Sequence, residues 1–140
     1  MKKPVIMNLG VAVVIVALAG GCQIGGPSDQ ELIDTTMADW TDALLAQDLD
    51  KLMPIYSENY VSTRGGGKDS VREFMTNVFN AGYLDNAKVN LEGAKTKIEE
   101  DKAEFGPVEV ITDTGTYILE YKLQKEDGTW LIVSSEMHEQ

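Results

Sequence analysis

Of the side chains that attack, shuttle protons or bind metals, the 140-residue chain has one cysteine, Cys22, and one histidine, His138. A single imidazole leaves no histidine-rich metal site and no Ser-His-Asp arrangement, so neither a metal nor a cofactor is expected. Carboxylates are plentiful, and the one best placed for acid or base work is Glu136. Alternation over Thr129 to His138 puts Trp130, Ile132, Ser134, Glu136 and His138 on one strand face. Leu131, Val133, Ser135 and Met137 then occupy the other. A carboxyl group turned into an apolar pocket has its pKa raised and can serve as an acid or base. A residue so near the carboxyl terminus is expected at a wet rim instead, and His138 at a frayed end.

Two other stretches mimic functional motifs. Gly65-Gly66-Gly67-Lys68 lacks Walker spacing and sits among acids, so it reads as a loop and not a phosphate cradle. Glu99, Glu100 and Asp101 read as a solvated hairpin turn. With 12 basic and 23 acidic side chains the net charge is −11, which excludes nucleic acid as a partner.

At the amino terminus Lys2 and Lys3 precede an uncharged run that ends in Ala19-Gly20-Gly21-Cys22. From Leu9 to Gly20 the run is short of the roughly twenty residues that a membrane-spanning helix needs, and suits a cleaved leader over residues 1–21. A solitary cysteine in an exported chain cannot form an internal disulfide, so modification is expected. The segment resembles the lipobox of bacterial lipoproteins. That resemblance implies that Cys22 carries a diacylglyceryl group and becomes the first mature residue, held in a lipid bilayer. By the same resemblance, Gln23, in place of the family's inner-membrane-retaining aspartate, implies the outer membrane of the cell envelope. The alternative is ordinary cleavage after Ala17-Leu18-Ala19, which leaves Cys22 a free thiol.

Loss of the leader takes the basic count from 12 to 10, so the mature charge is 10 − 23 = −13. The remaining length is that of one domain. Residues 22–27 form the tether, whose five residues after Cys22 reach at most about 18 Å.

Ser28 and Glu31 form a capping box ahead of Leu32, Ile33, Met37, Trp40, Leu44 and Leu45, which predicts a helix to Gln47. Asp48 caps a second helix that Pro54 kinks or restarts. A short strand is expected at Tyr60-Val61-Ser62. Ser70 with Glu73 suggests another capping box, for a third helix that stops at Gly82. The period then changes to two in segments near Ala87–Glu99, Ala103–Thr112, Gly115–Lys125 and Thr129–His138, separated by hairpin turns. The class is α+β: three N-terminal helices packed on a curved antiparallel sheet.

The order of elements is similar to the nuclear transport factor 2-like superfamily, with its cystatin-like fold and its SnoaL-like and ketosteroid-isomerase-like members. The resemblance covers about Ser28 to Met137, within a domain expected over residues 28–140, and rests on three stretches. These are Asp48-Leu49-Asp50-Lys51-Leu52-Met53 leading to Ile55-Tyr56-Ser57, Gly67-Lys68-Asp69-Ser70-Val71-Arg72-Glu73-Phe74, and the hairpin Asp127 to Val133. It implies a cone-shaped pocket lined by Trp40, Tyr56, Tyr60, Phe79, Tyr117, Tyr121, Trp130 and Ile132. Large rings at such spacing are more often core than ligand box, so plain packing stands beside that reading. Leu131 and Val133 on the outer face need a cover, and superfamily members often dimerise there, which implies a homodimer.

Ser62 and Thr63 occupy the place where the isomerase branch has an aspartate, and a hydroxyl cannot abstract a carbon-bound proton unaided. The expectation is therefore a membrane-anchored, non-catalytic module that binds a small apolar ligand or an envelope protein. Two alternatives stand: a SnoaL-like or isomerase-like enzyme acting on a hydrophobic carbonyl compound through Glu136 with Tyr56 or Tyr117, and a structural envelope protein.

Overall fold

The computed structural model describes residues 26–140; Cys22, the leader over 1–21 and most of the tether lie outside the described residues. Helix α1 spans Asp29–Leu45. Both halves of the capping box are made, with Glu31 N donating to Ser28 Oγ at 3.1 Å and Ser28 N to Glu31 Oε1 at 2.9 Å. These bonds satisfy donors that a helix end otherwise leaves orphaned. Ile33, Met37, Trp40 and Leu44 repeat at helical spacing and are buried. Full burial of an aliphatic side chain contributes roughly 1.5–3 kcal/mol, so this stripe holds the helix on the sheet.

Asp48 caps α2, Leu49–Leu52, through Lys51 N. Pro54 supplies no backbone donor, and the chain tightens into a 3₁₀ turn over Met53–Ile55 instead of continuing the helix. Helix α3 spans Lys68–Asn80, two residues ahead of the predicted Ser70 cap, and its N-cap is Gly67 without a side-chain bond. At its other end Gly82 N donates to Phe79 O and Tyr83 N to Val78 O. Those bonds make a Schellman motif with Gly82 at φ +77°.

Five antiparallel strands follow: β1 Lys88–Asn90, β2 Lys95–Glu99, β3 Lys102–Thr112, β4 Gly115–Glu126 and β5 Thr129–Glu139. The order is β1-β3-β4-β5, with β2 also paired to β3. The single segment predicted near Ala87–Glu99 is thus two strands, broken at Leu91–Ala94 opposite a register shift between Phe105 and Val108 of β3. The hairpin between β4 and β5 turns on Asp127 and Gly128, both at positive φ, the pairing that suits the twist of a two-residue loop. The predicted strand at Tyr60-Val61-Ser62 is absent. Tyr56 makes an isolated bridge to Ile132, and Val61 N donates to Val133 O at 3.0 Å, so this segment follows the edge of β5 without becoming a strand.

The sheet carries a second irregularity that changes which side chains face the helices. Lys122 pairs with Ser134 but Leu123 pairs with Ile132, leaving Val133 as an extra residue in β5. A bulge of this kind reverses the alternation beyond it. Trp130 and Ile132 point into the core, but past the bulge Ser135 and Met137 share the inner face, opposite Tyr121 and Leu119. Ser134, Glu136 and His138 therefore do not continue the Trp130 face, contrary to the simple alternation.

The result is an α+β fold in which three N-terminal helices pack on one side of a bent antiparallel sheet. No helix among the described residues is long and apolar enough to cross a membrane.

Candidate functional site

Inside the cone, α1, the Tyr56–Tyr60 segment and β4 bring four aromatic side chains together. Trp40 Nε1 donates to Tyr56 Oη at 3.1 Å, and the Trp40 and Tyr121 rings meet edge to face at 5.1 Å. Tyr56 and Tyr60 meet the same way at 5.5 Å. Tyr60 Oη lies 2.7 Å from Ser135 Oγ. Edge-to-face aromatic pairs add about 0.5–1.5 kcal/mol beyond area burial, which favours this arrangement over a looser one.

Six of the eight residues predicted for the pocket, Trp40, Tyr56, Tyr60, Tyr121, Trp130 and Ile132, are 0–5% exposed. Phe79 and Tyr117 are half-buried. Tyr121 alone of the eight lines either of two surface recesses, of about 460 and 600 Å³. The narrow end of the cone is thus packed solid, and burial decreases toward its wide end. Along β4 the inner face passes from buried Leu123 and Tyr121 to half-buried Leu119 and Tyr117, and β5 runs from buried Ile132 to half-buried Met137. Helix α3 buries Met75, packs Val71, Val78 and Phe79 partly against the core, and leaves Phe74 51% exposed.

The chemistry available within this cluster is hydrogen-bond donation. Burial pushes the Tyr56 phenol well above its ordinary pKa despite the Trp40 hydrogen bond, and burial raises that of Tyr121 as well. Both remain protonated donors. Glu136 lies outside it, its side chain 58% exposed and 3.6 Å from His138 Nε2. The bulge at Val133 is the reason. Thr63 Oγ1 donates to Ser135 O at 3.5 Å and Ser62 Oγ accepts from Arg64 N, so both serve the loop. Leu131 and Val133 are half-buried on the outer side of β5. Among the described residues no group of three or more His, Cys, Asp or Glu side chains could hold a metal ion.

Three contacts were not foreseen from sequence. Asp29 Oδ1 accepts from Lys125 Nζ at 2.9 Å and from Trp130 Nε1 at 3.1 Å, tying the start of α1 to the last hairpin. Those two bonds hold the Asp29 pKa below its usual value. Ser57, fully buried, donates from Oγ to Glu126 Oε2 at 2.7 Å and accepts from Asn59 N. Ser135 replaces Ser134 as the inward hydroxyl; two adjacent serines give no apolar signal to say which one faces in.

This architecture is the cystatin-like, nuclear transport factor 2-like fold. A cystatin-like protein of unknown function from Nostoc punctiforme superposes with a TM-score of 0.66 at 13% identity, covering 81% of this chain and 93% of that one. An NTF2-like protein from Shewanella baltica gives 0.65 at 17%, with 80% and 94% covered. A putative scytalone dehydratase from Novosphingobium aromaticivorans gives 0.61 at 14%, with 80% and 84% covered. At such identities the likeness is one of fold. No protein-family profile matches the chain, and no curated protein does.

Proposed function

We propose that the protein is a lipid-anchored, non-catalytic module of the bacterial envelope whose cone takes an apolar group at its wide end, from a small ligand or an envelope protein. The observation that carries this reading is the burial gradient. The apex is closed by Trp40, Tyr56 and Tyr121, whereas Leu119, Tyr117 and Met137 stay half-buried farther along the same sheet face. Binding sites are mostly apolar with a few placed polar groups, and Leu119 and Met137 with the Tyr117 phenol supply that mixture. Anchoring through Cys22, with residues 23–27 as the leash, would hold the cone within about 18 Å of the bilayer. The isomerase-like reading requires an acid or base inside the cone, and Glu136 is exposed on the opposite face.

An environment-sensitive naphthalene sulfonate dye tests the cone. Saturable one-to-one binding, weakened about tenfold or more by Leu119→Glu, is the expected result, because a buried charge is costly. Unsaturable binding, or none, overturns the reading. Intact mass of the mature chain and partition into detergent, compared with Cys22→Ala, test the anchor. Mature protein that begins at Gly20 and stays in buffer would refute it.

A further inference from the structure

β5 is the last strand of the sheet, and only one of its margins is paired to another strand. Hydrogen bonds fix which residues address which margin. Gln140 N donates to Thr116 O of β4, and backbone groups alternate along a strand, so Glu136 and His138 address β4 while Ser135, Met137 and Glu139 address the outer margin. The first part of that margin is taken. Ile132 O accepts from Ser57 N, Val133 O from Val61 N, and Ser135 O takes a long bond of 3.5 Å from Thr63 Oγ1. Among the described residues no backbone hydrogen bond reaches Met137 or Glu139 from outside the sheet.

Open strand edges invite pairing, and proteins blunt them with lysine, proline or short length. The opposite side of the sheet follows that rule, since β1 has three residues and β2 carries exposed Lys95 and Lys97. The stretch Ser135-Glu136-Met137-His138-Glu139 has no lysine, proline or glycine. Its faces are sorted instead. Met137 is half-buried on the inner face, directly opposite Leu119, while Glu136 and His138 are exposed on the outer one. Within the chain His138 Nε2 lies 3.6 Å from Glu136 Oε1, beyond hydrogen-bond range, so neither group is spent on the other.

We propose that this edge pairs with the same edge of a second copy, antiparallel about a two-fold axis through Met137. Residues that address the edge must face residues that address the edge, which leaves three registers. An axis at Glu136 sets the two Glu136 carboxylates opposite each other, a destabilising pair, and runs Glu139 into the stretch that Val61 already occupies. An axis at His138 sets imidazole against imidazole and overlaps only Met137 to Glu139. The axis at Met137 overlaps the whole of Ser135 to Glu139. Met137 then faces Met137, and Ser135 of each copy faces Glu139 of the other, each facing pair exchanging two hydrogen bonds. On the outer face Glu136 of each copy meets His138 of the other at the closer, non-hydrogen-bonded positions, and an imidazole can donate to a carboxylate whether protonated or neutral. On the inner face the row Leu119, Met137 continues into Met137 and Leu119 of the second copy, an unbroken apolar ladder. A strand of another protein would have to bring that complement with it, whereas a second copy has it by symmetry. The net charge of −11 opposes self-association, but physiological salt screens that repulsion beyond about 8 Å and leaves the directly opposed groups to decide.

Cross-linking reads the register. In a Cys22→Ala chain, which has no other thiol, Met137→Cys places two Cα atoms about 5.5 Å apart across the axis, within disulfide reach. Glu136→Cys and His138→Cys place theirs about 7–8 Å apart on a diagonal. Under mild oxidation Met137→Cys should give covalent dimer about tenfold faster than either. Sedimentation of the full chain should show the dimer without a cross-link. Met137→Pro and Glu139→Pro each remove an N–H that no bond within the chain uses, and each should raise the dimer Kd about tenfold or more. Glu139 is exposed, so its variant keeps the packing of the monomer, and circular dichroism with the melting temperature checks that both fold. His138→Glu should weaken the dimer, and adding Glu136→His should restore it, because the exchange preserves the pairing. A monomer at millimolar concentration, faster cross-linking at position 136 or 138, or a dimer that Leu131→Glu dissociates and both proline variants spare would each overturn the proposal, the last by placing the contact on the outer sheet face.

Discussion

The Tyr60 hydroxyl sits 2.7 Å from Ser135 Oγ because Val133 is an extra residue in β5, so that Ser135 and not Ser134 faces the core. The bond gives the two serines different weights. Ser135→Ala leaves a buried phenol without its partner and should cost about 1–2 kcal/mol. Ser134→Ala, on the outer face, should stay within about 0.5 kcal/mol of the parent. Urea unfolding of both variants decides it, and equal effects would refute the assignment of faces.

That bulge marks the limit of what was legible beforehand. Periodicity and capping chemistry are local, and they located α1 through Ser28 and Glu31, the α2 cap at Asp48, the break at Pro54 and the Asp127-Gly128 turn. From those elements the α+β class and its fold followed. A bulge depends on pairing between distant strands. The shift between Phe105 and Val108 carries a local sign in Gly106-Pro107, residue types that mark a bulge within a strand, but Val133 does not alter the local pattern of residue types, so the outward placement of Glu136 had no local signal. The α3 start at Lys68 was missed for the opposite reason, because Ser70 and Glu73 form a plausible cap that the Gly67 turn pre-empts.

Asp29 gives acid unfolding a defined contributor. Hydrogen bonds from Lys125 and Trp130 lower its native pKa below the ordinary 3.8, so the unfolded chain takes up the proton more readily than the folded one. Its contribution is therefore complete above that ordinary value and is lost as pH falls through the native one. Asp29→Asn should flatten the fall in stability on the acid side while moving the neutral-pH midpoint less than the loss of a buried pair would. Urea midpoints from pH 7 down to pH 2 measure the difference, and superimposable curves would rule it out.

The ends of α1 and α3 form a natural comparison. Both use the Schellman pattern, but α3 places Gly82 at the left-handed position whereas α1 places Gln47 there, at φ +53°. A side chain in that conformation costs about 1 kcal/mol. Gln47→Gly should stabilise the protein by about 0.5 kcal/mol, the exposed bond from Gln47 Nε2 to Asp85 offsetting part of the gain. Gly82→Ala should destabilise it by about 1 kcal/mol, or about 4 °C in Tm, the added Cβ also lying 3.0 Å from Asp85 Oδ2. Thermal melts that move in the same direction for both would contradict the comparison.

Tyr121 and Tyr56 should titrate late and together with unfolding. Burial raises both native pKa values above the ordinary 10.0, so the folded chain holds these protons where the unfolded chain releases them. Their contribution is whole below pH 10 and disappears as pH rises further, which predicts steep alkaline unfolding. Within the pair the hydroxyls differ. Tyr56 accepts from Trp40 Nε1, whereas among the described residues the Tyr121 hydroxyl forms no hydrogen bond, although its ring is 2% exposed. Burying an unpaired hydroxyl costs about 1–3 kcal/mol, so Tyr121→Phe should be neutral or stabilising, while Tyr60→Phe should lose about 1 kcal/mol with its Ser135 bond. In ultraviolet titration Tyr121→Phe should remove one of the two late phenols and leave the other. A loss of stability for Tyr121→Phe equal to that for Tyr60→Phe would mean that its hydroxyl is bonded in solution and that the narrow end of the cone is less tightly closed than its packing indicates.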